Sequence, residues 1–504
     1  MVDKRKLDRH GMPRVLVLIV GFMVILGACA GAASPAPSSQ AASQPASQAA
    51  APSPTEAPAI TAPPVDASAP GPNGGVVVRW FVGLGAGGQP QQLQAEAEFV
   101  DKFNASQKDV YIALEIYNNN VAANILKTQI AAGNAPDIIG PVGVEGLNLF
   151  RDQLLDLQPL ITKNNYSVQG VPQELVDFFK LGENNATIGV PFAVYPSFLY
   201  YNKDLFDEAG LPTPPTKVGD KYQGKDWTVD TLREVAMKLT VDSAGNDATS
   251  SSFDPSKVVQ WGFDMQYADN SPRAEASLWG GNTFVSDDGK TAVIPDSVKT
   301  GEKWFNDGVW KDHFIPSAAQ INSDLLDKGN EFESGNLAMN ESHTWFTCCV
   351  YPAAPAAPKV KHFGFAIAPS VDGKITAKLH ADTFSILKST KVPDAAFKAM
   401  TALVASPELL TLYGAMPADP SKQQAFFDTV NKNFPGQTLD WTIPQAMLKY
   451  PDVPNHQSWV PNYAKAKPAW QAFQNNYRTK SGVDIDAELD KLKTTLQGIY
   501  DEVQ

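Results

Sequence analysis

The sequence predicts a two-lobed α/β protein, and three observations carry that prediction. From Gly75 to Gln504 the chain runs 430 residues, more than one compact core organises and suited to two lobes or domains. Short β-branched runs alternate with segments of helical periodicity, the pattern of parallel strands joined by crossover helices. The composition, 43% hydrophobic and 19% charged, is that of a water-facing globular chain with a single long apolar stretch.

That stretch, "VLVLIVGFMVILGACAGAAS", comes first. Its apolar run from Val15 to Ala28 is 14 residues, whereas a helix crossing a bilayer core needs about 20. Lys4, Arg5, Lys6, Arg9 and Arg14 precede it, giving the charged, apolar and small-residue zones of a secretory signal, so residues 1–28 are expected to be removed. Leu26-Gly27-Ala28-Cys29 resembles the lipobox of bacterial lipoproteins, in which the cysteine becomes the lipidated first residue. Residues 29–74, opening with "CAGAASPAPSSQAASQPASQAAAPSPTEAP", lack the large apolar side chains that offset chain entropy and read as a disordered, proline-extended tether.

The folded part is expected near Gly75. There "VVVRWF" reads as a strand, "QQLQAEAEFVDKFNAS" as a helix with Leu93, Ala97, Val100 and Phe103 on one face, and "VYIALEIY" as a second strand. "VAANILKTQIAAG" follows as an amphipathic helix ending at Gly133, then "PDIIGP" as a short buried strand. In such sheets ligands bind outside the carboxyl ends of the strands. Further on, Asn202-Lys203-Asp204 marks a strand turning into a helix, Gly210 and Pro212 stop that helix, and Thr228 N-caps another running through Leu239.

Net charge is −13 for the whole chain, and loss of a leader carrying net +3 leaves about −16. An acidic chain without a basic stripe excludes nucleic acid and anionic lipid surfaces as expected partners. If Cys29 is lipidated, Cys348 and Cys349 remain as an adjacent pair, either a strained vicinal disulfide or buried reduced thiols. With six scattered histidines they offer no zinc site. "GLGAGG" lacks the Lys-Ser/Thr of a phosphate-binding loop, so neither a metal nor a cofactor is expected.

Eight segments stand in order along the chain: "FVDKFN" (99–104), "AAGNAPDII" (131–139), "LLDLQPLI" (154–161), "IGVPFAVYPSFLYYNKDLFDEAGL" (188–211), "WTVDTLREVAMKLT" (227–240), "FESGNLAM" (332–339), "FGFAIAPS" (363–370) and "ASPELL" (405–410). As an ordered set they resemble the bacterial extracellular solute-binding proteins of ABC importers, in the sugar-binding group similar to maltodextrin-binding proteins. The resemblance implies a type II periplasmic-binding-protein-like fold, each lobe a mixed sheet flanked by helices, with a hinge and an interlobe cleft. It implies three crossings between lobes, near 193–198, 370–378 and 415–421. Residues 75–194 plus 375–414 then form the N-terminal lobe, and 195–374 plus 415–504 the C-terminal lobe.

A sugar presents hydroxyls around its ring and C–H patches on its faces, so its site needs aromatic platforms and planar polar groups. By family position Trp345 in "AMNESHTWF" is the expected stacking aromatic, with Glu341 and His343 just before it. Trp80 and Phe81 end the first strand, and Tyr195 sits in the first crossing. Asp264, Tyr267, and Trp279 with Asn282, occupy the stretch of the second lobe that faces the first in relatives. His380 and Asp382 precede a strand-like run, where they serve either the ligand or a structural hydrogen bond. Trp459 in "NHQSWVPNY" lies where relatives place another stacking aromatic. The resemblance therefore implies a monomeric lipoprotein, held by its lipid on the extracytoplasmic side of the cell membrane, that captures a disaccharide or oligosaccharide and delivers it to a permease. A secreted carbohydrate-active enzyme, with Glu341 and Asp382 as its carboxylates, and a surface sugar sensor on the same fold are the alternatives. No nucleophile elbow or His-Glu-x-x-His motif supports catalysis.

Overall fold

The computed structural model describes residues 60–61, 69–88, 90–167, 186–266, 271–348, 350 and 359–503. The leader, Cys29, Tyr267 and Cys349 lie outside the described residues.

The strands of the two main sheets are β1 (Ile60–Thr61), β2 (Val76–Val82), β3 (Val110–Ile116), β4 (Ile138–Gly143), β5 (Val190–Pro196), β6 (Phe198–Asn202), β7 (Val241–Asp242), β8 (Val258–Asp264), β9 (Leu337–Ser342), β10 (Phe363–Ala366) and β11 (Leu379–Ile386). The first sheet has the order β1-β3-β2-β4-β11-β5, the second β10-β6-β9-β8-β7. In the first, β2 lies parallel to β3 and β4, reached through helices α1 (Pro90–Ser106) and α2 (Asn119–Ala131). Strand β11 runs antiparallel to both β4 and β5. In the second, β8 and β9 are parallel while β6 is antiparallel to β9. The alternation in the sequence is thus the crossover topology of the first sheet.

The folded part starts earlier than Gly75. Ile60 and Thr61 pair antiparallel with Ile116 and Glu115, and Asn73 Nδ2 donates to the carbonyls of Asn104, Gln107 and Val110 at 3.0 Å each. The expectation of a wholly disordered tether to residue 74 is corrected at these points. Two β-branched residues suffice to add an edge strand, and one amide side chain satisfies carbonyls that the helix-to-strand turn leaves open.

Core packing follows the periodicities. Helix α3 (Val144–Phe150) follows β4, and α4 (Val229–Leu239) starts at Thr228, whose Oγ1 accepts from Thr231 N at 3.1 Å. The buried Leu232, Val235, Ala236 and Leu239 of α4 fall on one face and pack on β8. Helix α5 (Asp296–Trp310) adds Val298, Phe305 and Val309 to the same lobe. Helix α6 (Pro393–Val404) lays Ala396, Phe397, Met400 and Leu403 on the first sheet, beside α7 (Pro407–Leu412). The chain ends in α8 (Tyr463–Thr479) and α9 (Ile485–Asp501), which pack on one another.

Three segments run side by side where the chain passes between sheets. Ser197 alone separates β5 from β6. Ser197 N donates to the Lys378 carbonyl at 2.8 Å, and Lys378 N donates to Ser197 Oγ at 2.9 Å. Val194 N donates to the Met416 carbonyl at 2.9 Å, which brings the segment after α7 along β5.

Candidate functional site

The carboxyl ends of β2, β4 and β5 and the start of β11 lie along one edge of the first sheet, since His380 pairs with Tyr195 and Asp382 with Gly143. The second sheet turns the ends of β8 and β9 to the same junction, with Ser342 opposite Phe198. Both sheets therefore present strand ends at the crossing, where an α/β architecture places ligands.

Six of the expected residues meet there. The Trp345 ring centroid is 4.2 Å from His343, 4.9 Å from Tyr195 and 4.9 Å from His380. Trp345 is half-buried and packs against both hydrophobic cores of the molecule. His343 Nδ1 donates to the Tyr195 carbonyl at 2.7 Å, and Tyr195 Oη donates to Asp382 Oδ2 at 3.2 Å. Glu341, fully buried at the end of β9, lies 3.9 Å from Lys378 Nζ.

A second polar chain enters from "YPDVPNHQSW" (450–459). Gln457 Nε2 donates to His380 Nδ1 at 2.6 Å, His380 Nε2 lies 3.3 Å from His456 Nε2, and His456 Nδ1 lies 2.5 Å from Asp452 Oδ2. Asp452 also accepts from the backbone N–H of Leu379 and His456, each at 2.9 Å. The chain has one consistent sense: the amide donates to His380, His380 to His456, and His456 to the carboxylate.

Burial dominates the electrostatics. It pushes the imidazoles of His343 and His380 well below their ordinary range, aided at His343 by Lys378 and at His380 by His343, His456 and Lys378. Burial raises the Asp382 carboxyl to about 6 against the Tyr195 hydroxyl and the Ala86 N–H, which favour its charged form. Burial also raises Glu341, opposed by Lys378 and the Ser197 hydroxyl. Several buried polar atoms have no hydrogen bond of good geometry here: both Glu341 oxygens, His343 Nε2, Thr344 Oγ1 and Gln457 Oε1. Such unspent capacity beside an aromatic platform suits an uncharged ligand rich in hydroxyls.

The other expected residues are engaged elsewhere. Trp80 is fully buried and donates its indole N–H to the Gly140 carbonyl at 2.7 Å, while Phe81 packs on Tyr117 inside the core. The alternating pleat of β2, covered on both faces, leaves neither ring open to the cleft. Asp264 pairs with Arg478 at 3.1 Å, next to Glu275 at 3.0 Å from the same guanidinium. Trp279 packs on Trp304 and Phe305, and Asn282 donates to the Arg273 carbonyl at 2.8 Å. Trp459 carries the Arg151 guanidinium over its ring at 4.2 Å and lines a cavity of about 530 Å³ with Asn148, Asp152, Asp288 and Asn462.

The loop after β2 explains its own glycines. Gly87 has φ +99°, and a Cβ there would sit 2.4 Å from Val82 Cγ1 and 2.5 Å from Glu96 Oε1, so the loop lies directly over α1. Sequence reasoning missed Lys378, Asp452, His456 and Gln457. The clustered polar residues of "PNHQSW" were the available signal. Among the described residues no cluster of three or more metal-ligating side chains occurs, and no helix is long and apolar enough to cross a membrane.

Two mixed α/β lobes joined by adjacent crossing segments, with aromatic and polar side chains gathered at the junction, define a hinged binding protein. The chain belongs to the bacterial extracellular solute-binding protein family, whose model matches residues 86–408, which places it on the extracytoplasmic side. Solved structures share the fold. UspC of M. tuberculosis matches at 22% identity and TM-score 0.61 over 84% of this chain and 100% of its own. An ABC substrate-binding protein of Listeria monocytogenes in complex with cycloalternan matches at 18% and 0.63, over 84% and 98%. MalE of Bdellovibrio bacteriovorus bound to maltotriose matches at 17% and 0.60, over 85% and 99%. No curated protein sequence matches significantly.

Proposed function

We propose that this protein is the substrate-binding component of an ABC importer, that it closes on a disaccharide or oligosaccharide between its lobes, and that it passes this ligand to a permease unchanged. The observation that carries the reading is the half-buried Trp345 ringed by Tyr195, His343 and His380, with incompletely satisfied acceptors on Glu341, His343 and Gln457. An aromatic face takes the C–H side of a sugar ring while buried polar atoms take its hydroxyls. The sugars held by the Listeria and Bdellovibrio proteins support the same ligand class. Tyr195, Glu341, His343, Trp345, His380 and Asp382 form the ligand-facing set. The lobes, 75–194 plus 375–414 and 195–374 plus 415–504, hinge about Ser197. Ligand favours closure by the contacts it gains only in the closed form.

Anchoring belongs to the same proposal: removal of residues 1–28 and lipidation of Cys29 hold a monomer near its permease and raise its effective concentration. Cys29→Ala should release a soluble protein that still binds. Thermal unfolding of the full-length protein against mono- and oligosaccharides, polyols, amino acids and peptides tests the ligand. A ligand at 100 times its Kd stabilises by about 2.7 kcal/mol, so one sugar class should raise Tm, and Trp345→Ala should abolish that rise. Turnover of a glycan by the same sample would instead establish the enzyme reading.

A further inference from the structure

We infer that Lys378 and Glu341 form a donor–acceptor pair that grips two adjacent hydroxyls of the bound carbohydrate, and so determines which sugars this protein accepts; the inference rests on the carbohydrate reading above. Both side chains are completely buried. The Lys378 ammonium has three donors, yet its hydrogen-bonded partner is the weakly accepting Met265 sulfur at 3.6 Å. The nearest Glu341 oxygen stands off at 3.9 Å, and neither carboxylate oxygen has a hydrogen bond of good geometry. A buried ion pair that gains nothing from close contact is costly unless further groups satisfy it.

The neighbouring acceptor points the same way. His343 spends Nδ1–H on the Tyr195 carbonyl, which leaves Nε2 as a buried lone pair without a hydrogen bond of good geometry. An ammonium two positions before His380, a carboxylate two positions before His343 and the His343 lone pair thus stand incompletely satisfied beside the imidazoles that ring Trp345. Adjacent ring hydroxyls lie at hydrogen-bonding separation from each other, so one accepts from the ammonium while its neighbour donates to the carboxylate. A site that commits buried charges to hydroxyls rejects sugars lacking them, because the charges are then left unpaired. The pair also spans the hinge: Lys378 lies on the crossing segment tied to Ser197, and Glu341 on β9 of the second sheet.

The test is calorimetric titration of the full-length protein with maltotriose, mannotriose, glucose and mannose, followed by single-deoxy analogues of the sugar that binds. Lys378→Met and Glu341→Gln, checked for native circular dichroism, should each weaken binding roughly 10- to 100-fold. The deoxy analogue missing a gripped hydroxyl should bind the wild type as weakly as the parent sugar binds Lys378→Met, with no further loss when both changes are combined. Glu341→Gln keeps the shape of the site and carries the test alone should Lys378→Met not fold. Unchanged affinity in the folded variants, or fully additive losses, would overturn the inference while leaving the carbohydrate reading intact. A wild type that binds no sugar of the panel but does bind amino acids or peptides would remove the carbohydrate reading, and this inference with it.

Discussion

The Nε2 atoms of His380 and His456 face one another at 3.3 Å. One proton lies between them, because two lone pairs or two N–H groups at that distance repel. Asp452 at the far side of His456 and the Gln457 amide at the far side of His380 fix which ring donates. Strand β11 and the segment before α8 are thereby joined by a buried chain of defined direction.

Acid should weaken this arrangement. His343 and His380 have folded values held well below their ordinary 6.5 by burial, so the stability they contribute is complete above about pH 6.5 and is lost as pH falls below it. Scanning calorimetry between pH 4.5 and 8 should show Tm declining on the acid side, and His343→Asn/His380→Asn should flatten that decline. Asp382 works in the opposite sense. Its folded value of about 6 exceeds the ordinary 3.8, so its contribution is complete below about 3.8 and lost as pH rises through about 6. Asp382→Asn should therefore gain Tm relative to wild type at pH 7.5 and not at pH 3.5.

Glu96 on α1 gives a sharper alkaline signature. It is buried beneath the glycine loop, neither oxygen has a hydrogen bond of good geometry, and burial pushes it up to about 8 despite the Tyr413 hydroxyl nearby. Stability is lost as pH rises from about 4.5 through about 8. Glu96→Gln should match wild type near pH 4 and exceed its Tm by at least about 3 °C at pH 9. Equal melting curves at pH 9 would show that the carboxyl is solvated in the native state.

Arg478 holds the second lobe's buried charges together. Its guanidinium contacts Asp264 at 3.1 Å and Glu275 at 3.0 Å, and Tyr477 Oη donates to Glu275 at 2.9 Å. Removing one member of such a set strands the others in a low-dielectric interior, at a cost of about 3–5 kcal/mol. Arg478→Met should lower the unfolding free energy obtained from urea titration by that amount without altering ligand specificity. A variant as stable as wild type would show that the carboxylates become protonated at no cost.

Trp459 joins the end of α3 to the segment before α8 by a different interaction. Arg151, just after α3, stacks on its ring, and Asn148 Nδ2 donates to the Gln457 carbonyl at 2.8 Å. A partly desolvated cation–π contact contributes about 1–2 kcal/mol. Trp459→Ala should raise the ligand dissociation rate roughly 5- to 30-fold, read by stopped-flow fluorescence, with little change in association. A larger loss would assign Trp459 direct contact with the sugar.

Sequence patterns settled the elements because local physics does. The β-branched run of β2, the stripe on α4, the Thr228 cap and the glycine stops at 133 and 210 are each decided within a few residues. Trp345, Tyr195, His343 and His380 could be named from order and residue type. Their meeting could not, because residues 195, 343, 380 and 456 come together only when both sheets place their strand ends at one crossing. The same long-range packing turned Trp80 and Phe81 into core, spent Asp264 on an arginine 214 positions away, and buried Lys378 beside Glu341. Burial and pairing depend on which distant surfaces close over a side chain, and that free energy resides in the tertiary arrangement and not in the neighbouring sequence.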